Sequence, residues 1–374
     1  MLSVMYLNNT GPVTALFPTD TKSRPLENVT CCQDLPEPVA VPGPKPEFRR
    51  GDVLDGRFYI LEDLYFGGMA TIYLAEDMDH DRRKVAVKVP FLKFESDPGF
   101  YARFEREEEI GLKLNHPSLL KFIPVENKSR SYIVTEYLRG CTLDYIIHNR
   151  RPLPEADALK ITSLICEALE HMHGCGIVHN DLKPANVMIC SDQTIRVMDF
   201  GLATHTSSRR GIFGALTPIF GTPQYMAPEQ VKNKRTGART DLYTLGVMLF
   251  EMLAGKLPFP NEDPWVSVRL RVTGDSVAPR SLNPAISAQA EEIVLHAMRR
   301  RPEDRYQNAA AFKADLDSPD RVHVTGYCNR LKVSRSKLSL EGAQLVGGAL
   351  VGVGTIVFLV IFFLCLVHFG GGHQ

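Results

Sequence analysis

At 374 residues the chain has room for one large domain or two ordinary ones, and its 44% apolar and 23% charged residues give a globular composition. The 43 basic and 43 acidic side chains cancel, which excludes a global field that would recruit nucleic acid and leaves only local basic patches.

The first fifty residues carry eight prolines, crowded at Pro36, Pro38, Pro42, Pro44 and Pro46, with no sustained hydrophobic period. Residues 1–56 are therefore expected to form a flexible tether. The start lacks a basic n-region and its short apolar stretch is broken by Asn8 and Asn9, so it does not read as a secretory signal and should stay in the cytosol. Eight cysteines are scattered from Cys31 to Cys365 without C-x-x-C clusters, which suggests reduced thiols rather than a zinc site or a disulfide framework.

From Arg57 onward, short runs rich in Val, Ile, Tyr and Leu predict strands over Phe58–Leu64, Thr71–Ala75, Lys84–Val89 and Ser131–Tyr137. Beyond Tyr137, apolar periodicity predicts helices over Glu155–Gly174, Asp241–Ala254 and Ala288–Arg300. A small sheet-rich lobe, about residues 57–138, thus precedes a larger helical one, about 139–318, in an α+β architecture. Residues 319–344 read as a basic linker. Leu345–Val367 then gives 23 residues without a charge, enough for one transmembrane helix. Arg321, Arg330, Lys332, Arg335 and Lys337 precede that stretch, and no Lys or Arg occurs in 368–374, so the large domain is expected on the cytoplasmic face of a plasma or inner membrane with a short tail outside. Gly348 and Gly352 would let two such helices approach closely as a homodimer, although glycine is also simply frequent in membrane helices.

The segment His179-Asn180-Asp181-Leu182-Lys183-Pro184-Ala185-Asn186 sets a Lys two residues and an Asn five residues after an Asp, and Asp199-Phe200-Gly201 begins thirteen residues beyond that Asn. Phosphoryl transfer needs a carboxylate to accept the attacking hydroxyl's proton, a divalent cation to neutralise the phosphates, and a positive side chain near the moving group. The two motifs supply residues for each. Alone, Asp181 would more simply be a solvated loop carboxylate; the ordered pair of motifs is specific. Upstream, strand periodicity in Val85-Ala86-Val87-Lys88 places Ala86 and Lys88 on one face. From Pro98, the positions Phe100, Phe104, Glu107, Gly111 and Leu114 follow the spacing of a buried helical stripe in which Glu107 is the misfit. A buried carboxylate needs a counter-ion, and Lys88 is the candidate. Glu105, Glu108 and Glu109 fall off that face.

With these elements in order, about Arg57 to Asp317 resembles the eukaryotic-like serine/threonine protein kinases, particularly the bacterial ones. The resemblance implies a bilobal protein kinase fold: a small antiparallel sheet plus one helix over a mostly helical lobe. On it, Asp181 matches the catalytic base, Lys183 the phosphate-contacting lysine, Asn186 and Asp199 the ligands of Mg2+ or Mn2+, and Lys88 with Glu107 the ion pair that holds ATP phosphates. Ala86 and Ile72 match residues against adenine, Glu136-Tyr137-Leu138 the hinge whose backbone pairs with it, and Thr135 the residue guarding the inner pocket.

The phosphate loop departs from the family's G-x-G-x-x-G-x-V. Gly67 keeps the central glycine and Gly68 follows it, but Tyr65 and Ala70 replace the outer two, which puts ATP affinity in question. Asp199–Glu229 resembles an activation segment ending in Ala227-Pro228-Glu229, with Thr222 shaping a platform for protein substrates, Glu229 expected to pair with Arg305, and Asp241 expected to cap a helix and brace the catalytic loop. Asn180 replaces the Arg that in many kinases binds a phosphorylated activation segment, so phosphorylation at Thr204, Thr206, Ser207, Ser208 or Thr217 is not expected to be strictly required. The leading expectation is a membrane-anchored serine/threonine kinase; the alternative is a membrane-tethered pseudokinase that acts as a scaffold.

Overall fold

The computed structural model describes residues 11–12, 30–31, 47–95, 97–206, 223–259 and 263–332. Near the N-terminus, Gly11–Pro12 pairs antiparallel with Thr30–Cys31.

Alternation along one strand organises the first lobe. Strands β1 (Val53–Leu54), β2 (Phe58–Phe66), β3 (Ala70–Asp77), β4 (Arg83–Pro90), β5 (Phe122–Ile123) and β6 (Ile133–Glu136) form one antiparallel sheet in the order β1-β2-β3-β4-β6-β5. In β4, Val85, Val87 and Val89 join an apolar cluster with Phe58, Ile60, Tyr73 and Val134 on the outer face. Ala86 instead faces the larger core shared with the helical lobe, as does Ile72 of β3. The period of two thereby delivers Lys88 to the inner face.

After the single turn α1 (Leu92–Glu95), helix α2 (Pro98–Lys113) is capped by Asp97, whose Oδ1 accepts from the N–H groups of Gly99 at 2.8 Å and Phe100 at 3.2 Å. Pro98 opens the helix, where its missing N–H costs nothing. Phe100, Phe104, Glu107, Ile110 and Gly111 are buried, which is the expected stripe. At Gly111 a methyl would lie 2.4 Å from the Phe122 ring, so only glycine allows α2 to sit this close to β5.

The second lobe surrounds α6 (Ala238–Ala254), buried at every position from Thr240 to Ala254 and closed by left-handed Gly255 at φ 68°. Helix α3 (Leu143–Arg150) leads to α4 (Glu155–Gly174), which packs on α6 and on α10 (Ala309–Asp317), while α9 (Ala288–Ala297) covers the other side of α6. Between the lobes, β7 (Gly140–Thr142), β9 (Val187–Cys190) and β10 (Ile195–Val197) form a small sheet; β8 (Ile177–Val178) pairs with β11 (Thr204–His205). The segments α5 (Pro228–Val231), α7 (Pro264–Thr273) and α8 (Pro279–Leu282) complete the lobe. Arg305 grips Glu229 with two 2.8 Å hydrogen bonds, its side chain fully buried, and Thr240 Oγ1 donates to the same carboxylate at 2.9 Å.

Some expectations need correction. Helix α6 begins at Ala238, so Asp241 lies inside the first turn and Gly237 is the capping residue. Helix α9 ends at Ala297 rather than Arg300: the Arg299 guanidinium turns onto the Tyr327 ring and that of Arg300 onto Asp275, and Pro302 follows. Cys166, Cys175, Cys190 and Cys328 are free thiols, but Cys141 is disulfide-bonded, against the expectation of reduced thiols. Among the described residues no helix is long and apolar enough to cross a membrane, and Leu345–Val367 lies outside them.

The Glu229–Arg305 pair generates a stability prediction. Arg305→Met leaves a buried carboxylate without its cation and should lower unfolding free energy by about 3–5 kcal/mol in denaturant titrations. A loss too small to measure would show that the pair is not structural.

Candidate active site

Lys88 Nζ donates to both carboxylate oxygens of Glu107 at 2.7 Å, with 12% and 10% of the two side chains exposed. Burial opposes the Lys88 charge, but Glu107 and Asp199 outweigh it and hold the ammonium above its ordinary pKa. The Glu107 carboxyl is pushed up by burial and by Asp199, with Lys88 opposing.

Beneath this pair lies the loop after β8. Asn180 and Asp199 adopt left-handed backbone, at φ 65° and 66°, a conformation Asn and Asp tolerate better than other residues with a side chain. Asp241 sets the loop's course: its carboxylate accepts from the N–H of His179 at 2.9 Å, the N–H of Asn180 at 2.9 Å, and lies 2.8 Å from His173 Nε2. Its bracing role is therefore direct, whereas capping is not. Lys183 Nζ donates to Asp181 Oδ2 at 2.7 Å, and Asn186 Nδ2 donates to the Asp181 backbone oxygen at 2.8 Å. The Met198 N–H donates to the Asn186 carbonyl at 2.9 Å, which ties the Asp199 segment to the Asp181 loop.

Asp199 is buried, which by itself disfavours its charge, yet Lys88, Lys183 and His179 hold its carboxyl below the usual range. One carboxylate thus feels a lysine from each lobe. A methyl built at Gly201 would sit 3.4 Å from Asp199 Oδ1 and 3.5 Å from Glu107 Oε2, so the two acidic groups flank the same short stretch of backbone. Phe200 is fully buried, tilted against Phe122 at 5.7 Å and edge-on to His179 at 5.9 Å.

Asn180 binds where a charged Arg was absent from the sequence. Its Nδ2 donates to the Val178 carbonyl at 3.1 Å, the Leu202 carbonyl at 3.2 Å and Thr204 Oγ1 at 2.9 Å, while Gln230 Nε2 donates to the Asn180 carbonyl at 2.7 Å. Thr206 is also described, with its N–H on the Gly176 carbonyl at 2.8 Å; Ser207, Ser208, Thr217 and Thr222 lie outside the described residues.

At the phosphate loop, the Gly67 N–H donates to the Ala70 carbonyl at 2.9 Å, closing a tight turn. Tyr65 packs against the inner apolar cluster, and burial raises its phenol pKa. A methyl at Gly67 would lie 2.8 Å from the Tyr65 ring and 3.0 Å from the Ala70 oxygen, whereas one at Gly68 would meet nothing within 4 Å. Ile72, Ala86 and Leu138 belong to one buried cluster. Thr135 is buried opposite Ala86, and Glu136 accepts from the Lys121 N–H at 3.0 Å and pairs with Arg196 at 3.2 Å.

The donor set suits a hard cation. Asn186 spends its amide nitrogen on Asp181, which leaves its oxygen as donor, and the Asp199 carboxylate accepts from the Gly201 N–H at 3.3 Å. Two protein oxygens fit Mg2+, which takes its remaining ligands from phosphate and water.

Sequence reasoning missed several positioning residues. Arg271 is 1% exposed and donates to the carbonyls of Pro223, Gln224 and Met226, holding the end of the Asp199–Glu229 segment. An arginine in an otherwise ordinary helix gave no signal. His173 and Gln230 were also missed because their partners are 68 and 50 residues away.

A curled antiparallel sheet over a helical lobe, with these charged residues at the junction, defines a protein kinase fold. A match to the protein kinase domain family covers residues 58–316. The chain is 38% identical over 275 residues to the serine/threonine-protein kinase PknB of Mycobacterium leprae, a span of 72% of this chain and 43% of that protein. It is 36% identical over 268 residues to the serine/threonine-protein kinase PrkC of Bacillus subtilis, a span of 71% of this chain and 41% of that protein. The chain belongs to the protein kinase family. Its matched region spans less than half the length of these relatives.

The Asn180 contacts generate a local prediction. Asn180→Ala removes an amide group whose two hydrogens are shared among three acceptors, so amide hydrogen exchange across residues 202–206 should accelerate by about tenfold or more. Unchanged protection there would show that the side chain does not hold the segment.

Proposed function

We propose that the chain is a serine/threonine protein kinase that transfers the γ-phosphoryl of Mg·ATP to hydroxyls of protein substrates while tethered to a membrane. The observation that carries this reading is the buried Lys88–Glu107 pair set beside Asp199. In this reading residues 57–318 are the catalytic domain. ATP would lie with adenine between Ile72, Ala86 and Leu138, its edge on the backbone of Glu136 and Leu138, and its phosphates beneath Gly67 and Gly68.

Lys88 would bind the phosphates, oriented by Glu107. Asn186 and Asp199 would hold Mg2+, which when bound neutralises phosphate charge. Asp181 would accept the proton as the acceptor oxygen forms its bond to γ-phosphorus and the bond to the β-phosphate oxygen breaks, releasing ADP. Lys183, bonded to Asp181 Oδ2, would orient that carboxylate and contact the moving phosphoryl group. Lys183 together with Thr222 supports Ser/Thr acceptors. Leu345–Val367 supports a single span with the kinase domain on the cytoplasmic side, and Gly348 and Gly352 support a close helix pair. The Tyr65 ring against Gly67 favours a second reading, a scaffold that binds nucleotide weakly.

Radiolabelled transfer to a general protein substrate separates these readings. The parent chain should label it, and Asp181→Asn should label it at least about 100-fold more slowly. Equal labelling by both, or none by the parent, would refute the kinase reading. The turn gives a paired test: Gly67→Ala should raise the KM for ATP more than Gly68→Ala, because only the methyl at Gly67 meets Tyr65 and the Ala70 oxygen. Equal effects would remove the glycine turn from the nucleotide site.

A further inference from the structure

A second charged site lies beside Pro228 and Glu229. A cleft of about 700 Å³ opens between the end of α5 with the loop after it, the C-terminal end of α7, and the loop that follows α9. Its lining is unequally neutralised. Glu229 is held by Arg305, Asp275 by Arg300 at 3.1 Å and by the Lys332 N–H at 2.9 Å, and Glu303 by Arg301. Asp304 also lines the cleft and shares Arg301 with Glu303, at 3.9 Å, but the cations in the lining still outnumber the carboxylates. Among the described residues, the side chains of Lys232 and Lys234 have no ion-pair partner. Arg299 has none either: its guanidinium carbon lies 3.2 Å from the centroid of the Tyr327 ring, and its Nε, like that of Arg300, is buried without a hydrogen-bond partner.

Two unpaired lysines beside an arginine without an ion-pair partner describe a place for an anion with several oxygens. The position of the cleft narrows the choice. One wall is Pro228 and Glu229, the end of the segment expected to carry protein substrates, and another includes Val272, next to the buried Arg271 that clamps Pro223, Gln224 and Met226. An anion in the cleft would therefore touch the same rigid unit that presents the acceptor hydroxyl.

We propose that this cleft binds a phosphoserine or phosphothreonine already present in a protein substrate, so that one phosphorylation directs the enzyme to a second hydroxyl of the same partner. The phosphomonoester dianion faces Lys232, Lys234 and Arg299, and the peptide continues past Pro228 toward Asp181. This specificity rests on the kinase reading.

The test uses the full chain in neutral detergent and fluorescent peptides with one acceptor serine, with or without a phosphoserine at increasing spacings from it. Anisotropy reads binding without turnover, and a parallel assay reads kcat/KM for the unphosphorylated peptide. At the preferred spacing, phosphoserine should tighten binding about tenfold. Lys232→Glu/Lys234→Glu should abolish that gain and keep the parental kcat/KM for the unphosphorylated peptide. Equal binding of the two peptides, or a gain that survives in the double variant, overturns the proposal. So does inorganic phosphate that erases the gain at concentrations equal to the peptide's, which marks a generic anion site. Binding to vesicles of anionic lipid without discrimination between the peptides assigns the surface to a membrane instead, and also overturns it. An inert chain that still discriminates would sink the kinase reading alone; an active chain that does not would sink this one alone.

Discussion

The site depends on one buried ion pair. Removing Lys88 and Glu107 from water is expensive, and their attraction repays it only when geometry is tight, so the 2.7 Å contacts fix α2 against β4 within a narrow range. The consequence extends beyond the sheet lobe. The inner end of α2 rests on Phe122 through Gly111, Phe122 packs tilted against Phe200, Phe200 meets His179 edge-on, and the His179 N–H is held by Asp241 of α6. Displacing α2 would therefore disturb not only Lys88 but also the backbone that presents Asp199 and Asp181. Packed interiors transmit such shifts because they have little free volume to absorb them.

The Asp181 loop is held by a different kind of bond. Asn180 joins it to Leu202 and Thr204 through neutral hydrogen bonds, where an arginine would require an added phosphate to balance its charge. A neutral clamp orders this end of the segment without any modification. Thr204, one of the candidate phosphorylation sites, has its hydroxyl engaged in that clamp. Its phosphorylation would set a dianion against an amide that has no positive charge to offer.

Much of the fold was legible because it rests on local periodicity. Valines alternating with Ala86 and Lys88 gave β4 and its inner face, and the one acidic residue in an apolar helical stripe identified Glu107 and its partner before any contact was known. Glu155–Gly174 was read to the residue because its apolar spacing runs unbroken between Pro154 and Cys175. The misreadings concern long-range effects. Asp241 looked like a helix cap because apolar periodicity begins there, but the polar turn before it is also helical and the carboxylate reaches back to the catalytic loop. Arg271 depends on carbonyls 45 to 48 residues away in sequence, brought to it only by the fold.

In the proposed kinase, Lys88 and Glu107 act as one unit in catalysis. A double-mutant cycle with Lys88→Met, Glu107→Gln and the pair measures this through kcat/KM for ATP. Each single change should cost about 100-fold or more, and the double variant should be little worse than either single one, because the second change removes an interaction already lost. Effects that simply multiply would show that the two residues work independently, contrary to a single catalytic unit.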